Sequence, residues 1–210
     1  MSTVGGVWGV VPVKTLSEAK SRLQSVLSDA ERLEISLQML HRVLSALQDA
    51  QFVDKWLVIS RDPRVLDIAQ DKHGLPLLED GFGLNSSLEQ ASRWADAQGA
   101  AAVLVVPSDL PLITAREIDM LIRQAGSEPC AVIAPSRHGE GTNALLLRPP
   151  GALPFCFGPG SAARHAEEAR RRGLSVRFHV SESFGLDIDT EEDLRELTNL
   201  RLIAGAGPFP

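Results

Sequence analysis

Three carboxylates stand where a strand gives way to a loop. Asp109 follows the apolar run Val105-Val106-Pro107, and Asp187 and Asp189 sit in Leu186-Asp187-Ile188-Asp189-Thr190. A carboxylate at the carboxyl end of a strand can ligate Mg²⁺, which takes oxygen donors and commonly joins one or two carboxylates to substrate phosphates. In extended chain, Asp187 and Asp189 point to the same side, because side chains alternate with period two. Two carboxylates so placed repel unless a cation sits between them. The competing reading is local. Thr190 and Asp193 form a capping-type pair that accounts well for Asp189 and poorly for Asp187, and Asp109 between Pro107 and Pro111 also suits a turn.

Cations gather at another point. In Pro12-Val13-Lys14-Thr15-Leu16-Ser17-Glu18-Ala19-Lys20-Ser21-Arg22-Leu23, the residues Lys14, Lys20 and Arg22 lie just beyond a first apolar strand. A triphosphate needs such charges, although a solvated basic loop would look the same. In Phe157-Gly158-Pro159-Gly160-Ser161-Ala162-Ala163-Arg164-His165, glycines run into a helix start. Backbone N–H groups and the helix dipole favour an anion there, and the Ser161 hydroxyl can donate to it; a plain turn is the alternative. Gly141-Thr142-Asn143 could face the same place. Gly83 and Asn85 could approach a base or ribose, or serve as a loop glycine and a helix cap. Arg170-Arg171-Arg172-Gly173 reads as cations closing a helix with a glycine stop. His41, His73, His138 and His179 show no ligand spacing.

The elements needed to hold these residues alternate in type. Strands are predicted over Val7–Val13, Trp56–Ser60, Leu75–Leu78, Ala102–Pro107, Cys130–Pro135, Asn143–Leu147 and Ser175–Val180. Helices are predicted from Ser28, whose pairing with Glu31 makes a capping box, and over Asp62–Lys72, up to Gln98, Thr114–Ala125, Ser161–Arg172 and Thr190–Ile203. Leu33, Leu37, Leu40, Leu44 and Leu47 make one apolar stripe. Such alternation predicts a mostly parallel sheet flanked by helices, with ligands at the carboxyl ends of its strands. The chain reads as a single domain over 1–204 and a flexible tail over 205–210.

The 210 residues carry a formal net charge of -6. A protein living on duplex nucleic acid usually has a basic face and a high pI, so nucleic acid is set aside as a partner. No membrane partner is expected, since the longest apolar stretch, Gly99–Pro107, is too short to span a bilayer. Cys130 and Cys156 have no metal spacing and suit a reducing compartment. With no signal-peptide pattern at the N-terminus, a cytoplasmic location is expected.

Six short motifs occur in one order: Pro12-Val13-Lys14 with Ala19-Lys20-Ser21-Arg22-Leu23; Gly83-Leu84-Asn85; Pro107-Ser108-Asp109-Leu110-Pro111; Gly141-Thr142-Asn143-Ala144-Leu145; Phe157-Gly158-Pro159-Gly160-Ser161; and Leu186-Asp187-Ile188-Asp189-Thr190. From about Val7 to Leu197 the chain resembles the phosphoenolpyruvate or 2-phospho-L-lactate guanylyltransferases of coenzyme F-420 biosynthesis. The resemblance implies an α/β, three-layer, Rossmann-like (GT-A-like) nucleotidyltransferase fold, with GTP as a substrate and Mg²⁺ as the metal. Carried over by position, it implies that Asp109, Asp187 and Asp189 hold the metal. Thr142, Gly158 and Ser161 would hold a phosphorylated three-carbon acid. Pro12, Val13, Lys14, Lys20, Arg22, Gly83 and Asn85 would line the nucleotide, with Lys14 counted among the catalytic groups. It also implies a possible homodimer.

Two rival readings remain. Molybdenum-cofactor-type and sugar-phosphate nucleotidyltransferases usually carry a Gly-Gly loop where this chain has Pro12-Val13-Lys14. A non-catalytic nucleotide-binding regulator would have no use for three carboxylates.

Overall fold

The computed structural model describes residues 6–203, so the expected tail over 205–210 lies outside the described residues. Seven strands form one sheet: β1 (Val7–Pro12), β2 (Val53–Ser60), β3 (Leu75–Leu78), β4 (Ala102–Val105), β5 (Cys130–Pro135), β6 (Thr142–Arg148) and β7 (Ser175–Phe178). Their spatial order is β3-β2-β1-β4-β6-β5-β7. All neighbours pair in parallel except β6, which runs antiparallel to β4 and to β5. The sheet is therefore mixed and mostly parallel, as the alternation predicts.

Seven α-helices accompany it: α1 (Asp29–Asp49), α2 (Pro63–Asp71), α3 (Leu84–Ala97), α4 (Ala115–Gln124), α5 (Ser161–Arg171), α6 (Glu182–Gly185) and α7 (Glu191–Ile203). The Ser28 hydroxyl accepts from the Glu31 N–H while the Glu31 carboxylate accepts from the Ser28 N–H, the full capping box. Thr114 caps α4 through the Glu117 N–H. The one-turn helix α6 and two 3₁₀ turns, Leu16–Glu18 and Ser21–Leu23, are absent from the sequence reading. A single turn offers too few residues for a periodic apolar signal.

Period-two alternation divides β1, β2, β4, β5 and β6 between two cores. Val7 and Val11 of β1, with Val58 and Leu104, pack beneath α1, α2 and α4. Trp8 and Val10, with Leu57, Val103 and Leu145, pack beneath α3 and α5. Gly9 lets α1 approach closely, because a Cβ there would meet Leu47 Cδ2 at 2.8 Å. The stripe on α1 is broader than the leucines alone, since Ile35, Met39, Val43 and Ala46 are buried as well.

A third cluster sits at the carboxyl edge of the sheet. Leu23, Ile35, Met39, Leu186, Ile188 and Leu197 pack together there. Burying a side chain such as Leu23 is worth about 2 kcal/mol. That apolar anchor fixes the loop after β1 and the segment before α7 against α1, and both carry candidate site residues.

Candidate active site

One large cleft, of about 1070 Å³, opens along the carboxyl edge of the sheet. It lies where the strand order changes direction, between the ends of β1 and β4, the position at which open α/β sheets receive ligands. Pro12, Val13 and Lys14 line it from β1, Pro107 and Asp109 from β4, and Thr142 and Asn143 from the start of β6. Gly158, Asp187 and Asp189 close the far wall, and Gly83 borders the other end.

The three carboxylates converge. The Lys20 ammonium donates to Asp109 Oδ2 at 2.8 Å and to Asp189 Oδ1 at 3.1 Å, and Arg22 reaches Asp189 at 3.6 Å. Lys20 adopts a left-handed backbone, φ 53°, which turns its side chain under the loop; only 8% of that side chain is exposed. Burial pulls the Lys20 ammonium down, but Asp109 and Asp189 outweigh it and hold its pKa above the ordinary lysine value. Asp187 alternates with the buried Leu186 and Ile188, so its carboxylate faces the cleft beside Asp189. Its pKa is raised, first by burial and then by the charge of Asp109, with Asp189 adding to it; the hydrogen bond from Asn143 works the other way. The chain thus holds Asp187 in a crowded, under-neutralised state. Among the described residues, no group of three His, Cys, Asp or Glu side chains is drawn together as a metal cage. The bridging place between Asp109 and Asp189 belongs to the Lys20 ammonium.

Asn143, named in sequence only as part of Gly141-Thr142-Asn143 and given no role of its own, organises this wall. Its Nδ2 donates to Phe184 O at 2.8 Å, to Gly185 O at 3.3 Å and to Asp187 Oδ1 at 3.0 Å. The Ile188 N–H donates to Asp109 O at 3.3 Å, joining the two acidic segments through the main chain. Asp62 was missed as well. Its buried carboxylate accepts from the Leu16 N–H at 3.0 Å and from Arg64, fixing the turn after β1. The Arg64 hydrogen bond chiefly lowers its pKa, to about 2. Neither long-range contact has a local sequence signal, because Leu16 lies 46 residues from Asp62 and Asp187 lies 44 residues from Asn143.

The glycine turn departs from the simplest expectation. Gly158 and Gly160 have φ of 127° and 70°, values that favour glycine, and Gly158 lines the cleft. Ser161 is fully buried, and its hydroxyl donates to Thr142 Oγ1 at 3.0 Å. It stands behind Thr142, which itself lines the cleft. Asn85 holds the same turn from outside. Its Oδ1 accepts from the Phe157 N–H at 2.8 Å and its Nδ2 donates to Phe157 O at 3.3 Å. Lys14 is exposed on the rim. Phe82 is 86% exposed near Gly83, with the Arg61 guanidinium 3.7 Å from its ring centroid.

Compared with solved proteins, the chain has the fold of a nucleotidyl transferase from Methanothermobacter thermautotrophicus, with a TM-score of 0.64 at 15% identity, covering 95% of this chain and 99% of that one. A Rossmann-like nucleotidyltransferase fold is therefore the class to which this architecture belongs. Residues 8–205 match the family model described as guanylyl transferase CofC like, and the chain belongs to that guanylyltransferase family. It is 49% identical over 191 residues to a phosphoenolpyruvate guanylyltransferase of Rubrobacter xylanophilus, covering 91% of this chain and 93% of that protein. It is 42% identical over 190 residues to a 2-phospho-L-lactate guanylyltransferase of Methanothermobacter thermautotrophicus, covering 90% and 82% respectively. No helix among the described residues is long and apolar enough to cross a membrane.

Proposed function

We propose that this chain transfers GMP from GTP to the phosphate of phosphoenolpyruvate, releasing pyrophosphate, as a step in coenzyme F-420 biosynthesis. 2-Phospho-L-lactate and 3-phospho-D-glycerate are the competing acceptors. The observation that carries this reading is the convergence of Asp109, Asp187 and Asp189 with Lys20 on the cleft that Thr142 and Gly158 also line. Two anions must meet in that cleft, and their repulsion is the main obstacle to reaction. The acceptor's phosphate, largely dianionic at neutral pH, attacks the α-phosphorus of GTP in line. A new P–O bond forms, the bond to the β-phosphate oxygen breaks, and pyrophosphate leaves with the electron pair. No general base is required, so catalysis rests on positioning and charge.

Lys14, Lys20 and Arg22 offset nucleotide phosphate charge, with Pro12, Val13 and Gly83 lining the nucleotide end. Gly158 and Thr142 receive the acid, with Ser161 supporting Thr142 from behind. Asn85 braces the turn that carries Gly158. Asp109, Asp187 and Asp189 offer only oxygen donors, and Asp187 is crowded by like charge with no cationic partner among its hydrogen bonds. Oxygen donors of this kind suit Mg²⁺; those three residues would hold it in place of the Lys20 bridge, and when bound it would supply charge neutralisation at the phosphates. The enzyme acts on small molecules in solution; a homodimer and a cytoplasmic location complete the proposal. The test is pyrophosphate release with GTP and each of the three acids in parallel. Turnover with phosphoenolpyruvate well above the other two is expected. Release with none of them would overturn the assignment.

A further inference from the structure

A buried histidine behind the acceptor wall is used by nothing described so far. His165 lies on α5 and is fully buried. Phe157 packs edge-on against its ring at 5.1 Å between centroids. Its two nitrogens each have one partner. The Cys156 N–H meets Nε2 at 3.0 Å, and Thr142 Oγ1 lies 3.1 Å from Nδ1. A main-chain N–H can only donate, so Nε2 is bare and accepts. The neutral ring then carries its hydrogen on Nδ1 and donates it to Thr142 Oγ1.

Ser161 fixes the rest. Its hydroxyl is fully buried, and Thr142 Oγ1 is its side-chain hydrogen-bond partner. If Thr142 donated to Ser161 instead, the Ser161 hydrogen would be left buried without an acceptor, which costs about 1–3 kcal/mol. Thr142 Oγ1 therefore accepts twice, from Nδ1–H and from Ser161, and both lone pairs are filled. Its own hydrogen is left for the cleft that Thr142 lines. A hydroxyl so arranged can only donate toward a ligand, which suits an anion.

We infer that His165 is a positioning residue of the acceptor site, setting the Thr142 hydroxyl as a dedicated hydrogen-bond donor to the phosphorylated acid. The inference rests on the proposed acceptor role of Thr142. Asparagine places an amide N–H where Nδ1 stood, glutamine where Nε2 stood, and phenylalanine keeps ring bulk without either nitrogen.

The experiment is steady-state kinetics with GTP and phosphoenolpyruvate on wild type, His165→Phe, His165→Asn, His165→Gln, Thr142→Val and the double variant His165→Phe/Thr142→Val. His165→Phe and Thr142→Val should each raise KM for phosphoenolpyruvate about tenfold, the loss of one charge-assisted hydrogen bond, and leave KM for GTP within about twofold. The double variant should be no worse than Thr142→Val alone, because the histidine acts only through that hydroxyl. His165→Asn should recover most of the acceptor affinity and His165→Gln should not. Additive losses, equal effects on both substrates, or equal behaviour of Asn and Gln would overturn the inference. If His165→Phe does not fold, the Asn and Gln pair decides alone. Wild-type turnover separates the two levels: no turnover with any of the acids sinks the acceptor reading and this inference together, whereas normal turnover without the coupling sinks only the role of His165.

Discussion

At the scale of single residues, the site is a balance of like charges held by one ammonium. Lys20 sits between Asp109 and Asp189, and Asp187 stands beside them with only an amide for a partner. Replacing Asp187 by Asn keeps its shape and its bond from Asn143 while removing a repelling charge. Asp187→Asn should therefore raise the melting temperature slightly and abolish nearly all turnover. Retained turnover at saturating Mg²⁺ would remove Asp187 from the metal set. Lys20→Met makes the opposite case. It leaves two carboxylates facing each other and should cost about 2 kcal/mol, less than the ~3–5 of a fully buried pair because Asp189 is half exposed. Added Mg²⁺ should then raise the melting temperature of Lys20→Met more than that of wild type. Equal shifts in the two proteins would show that the ammonium and the metal do not share a place.

At the scale of elements, the turn from Phe157 to Ser161 is held by long-range bonds. Asn85 and Glu89 on α3 grip the main chain at Phe157 and Phe155, and Gly158 and Gly160 give it its positive φ values. Gly158→Ala should cost on the order of 1–2 kcal/mol in backbone strain and raise KM for the acid more than for GTP. Circular dichroism melts and the KM ratio check both parts. Much of this element was legible in sequence: glycines before a small-residue helix start imply a turn into a helix. The alternation in Leu186-Asp187-Ile188-Asp189 puts Asp187 and Asp189 on one side; both line the cleft, while Leu186 and Ile188 enter the third core. The brace from Asn85 was not legible, since the gap of 72 residues to Phe157 leaves no periodic trace. The same holds for Lys20, whose left-handed backbone and double ion pair depend on partners folded in from afar. Ser161 shows the limit of motif reading: the position stands out in sequence, and only packing reveals that its hydroxyl is one layer back.

For the whole molecule, two cores share one sheet and a third cluster ties its edge, so the packed elements should unfold together. A single calorimetric transition, with calorimetric and van 't Hoff enthalpies equal, is expected; two resolved transitions would split the proposed single domain. Acid should weaken this unit in two stages. Burial lowers the His165 pKa from 6.5 to about 4, with Arg164 adding to it. The unfolded chain then binds a proton that the folded chain refuses, so this stability is full above pH 6.5 and is lost as pH falls toward 4. Asp62 follows. Its pKa falls from 3.8 to about 2, so its share is full above 3.8 and is lost on descending toward 2. Denaturant melts between pH 7 and 4 should show a slope that His165→Phe flattens; an unchanged slope would place the acid sensitivity elsewhere.

The reversed strand β6 has an architectural result. The parallel strands β1, β2 and β4 meet the cleft near their carboxyl ends, through Pro12, Ile59 and Val105, but β6 meets it with Thr142 and Asn143, its first residues. The hairpin that precedes them can lengthen, shorten or change composition without altering the register of β1 and β4, which border the other half of the cleft. One half of the pocket can thus drift in shape while the other stays constant, a division of labour by which a single scaffold could exchange one small acid for another and keep its nucleotide.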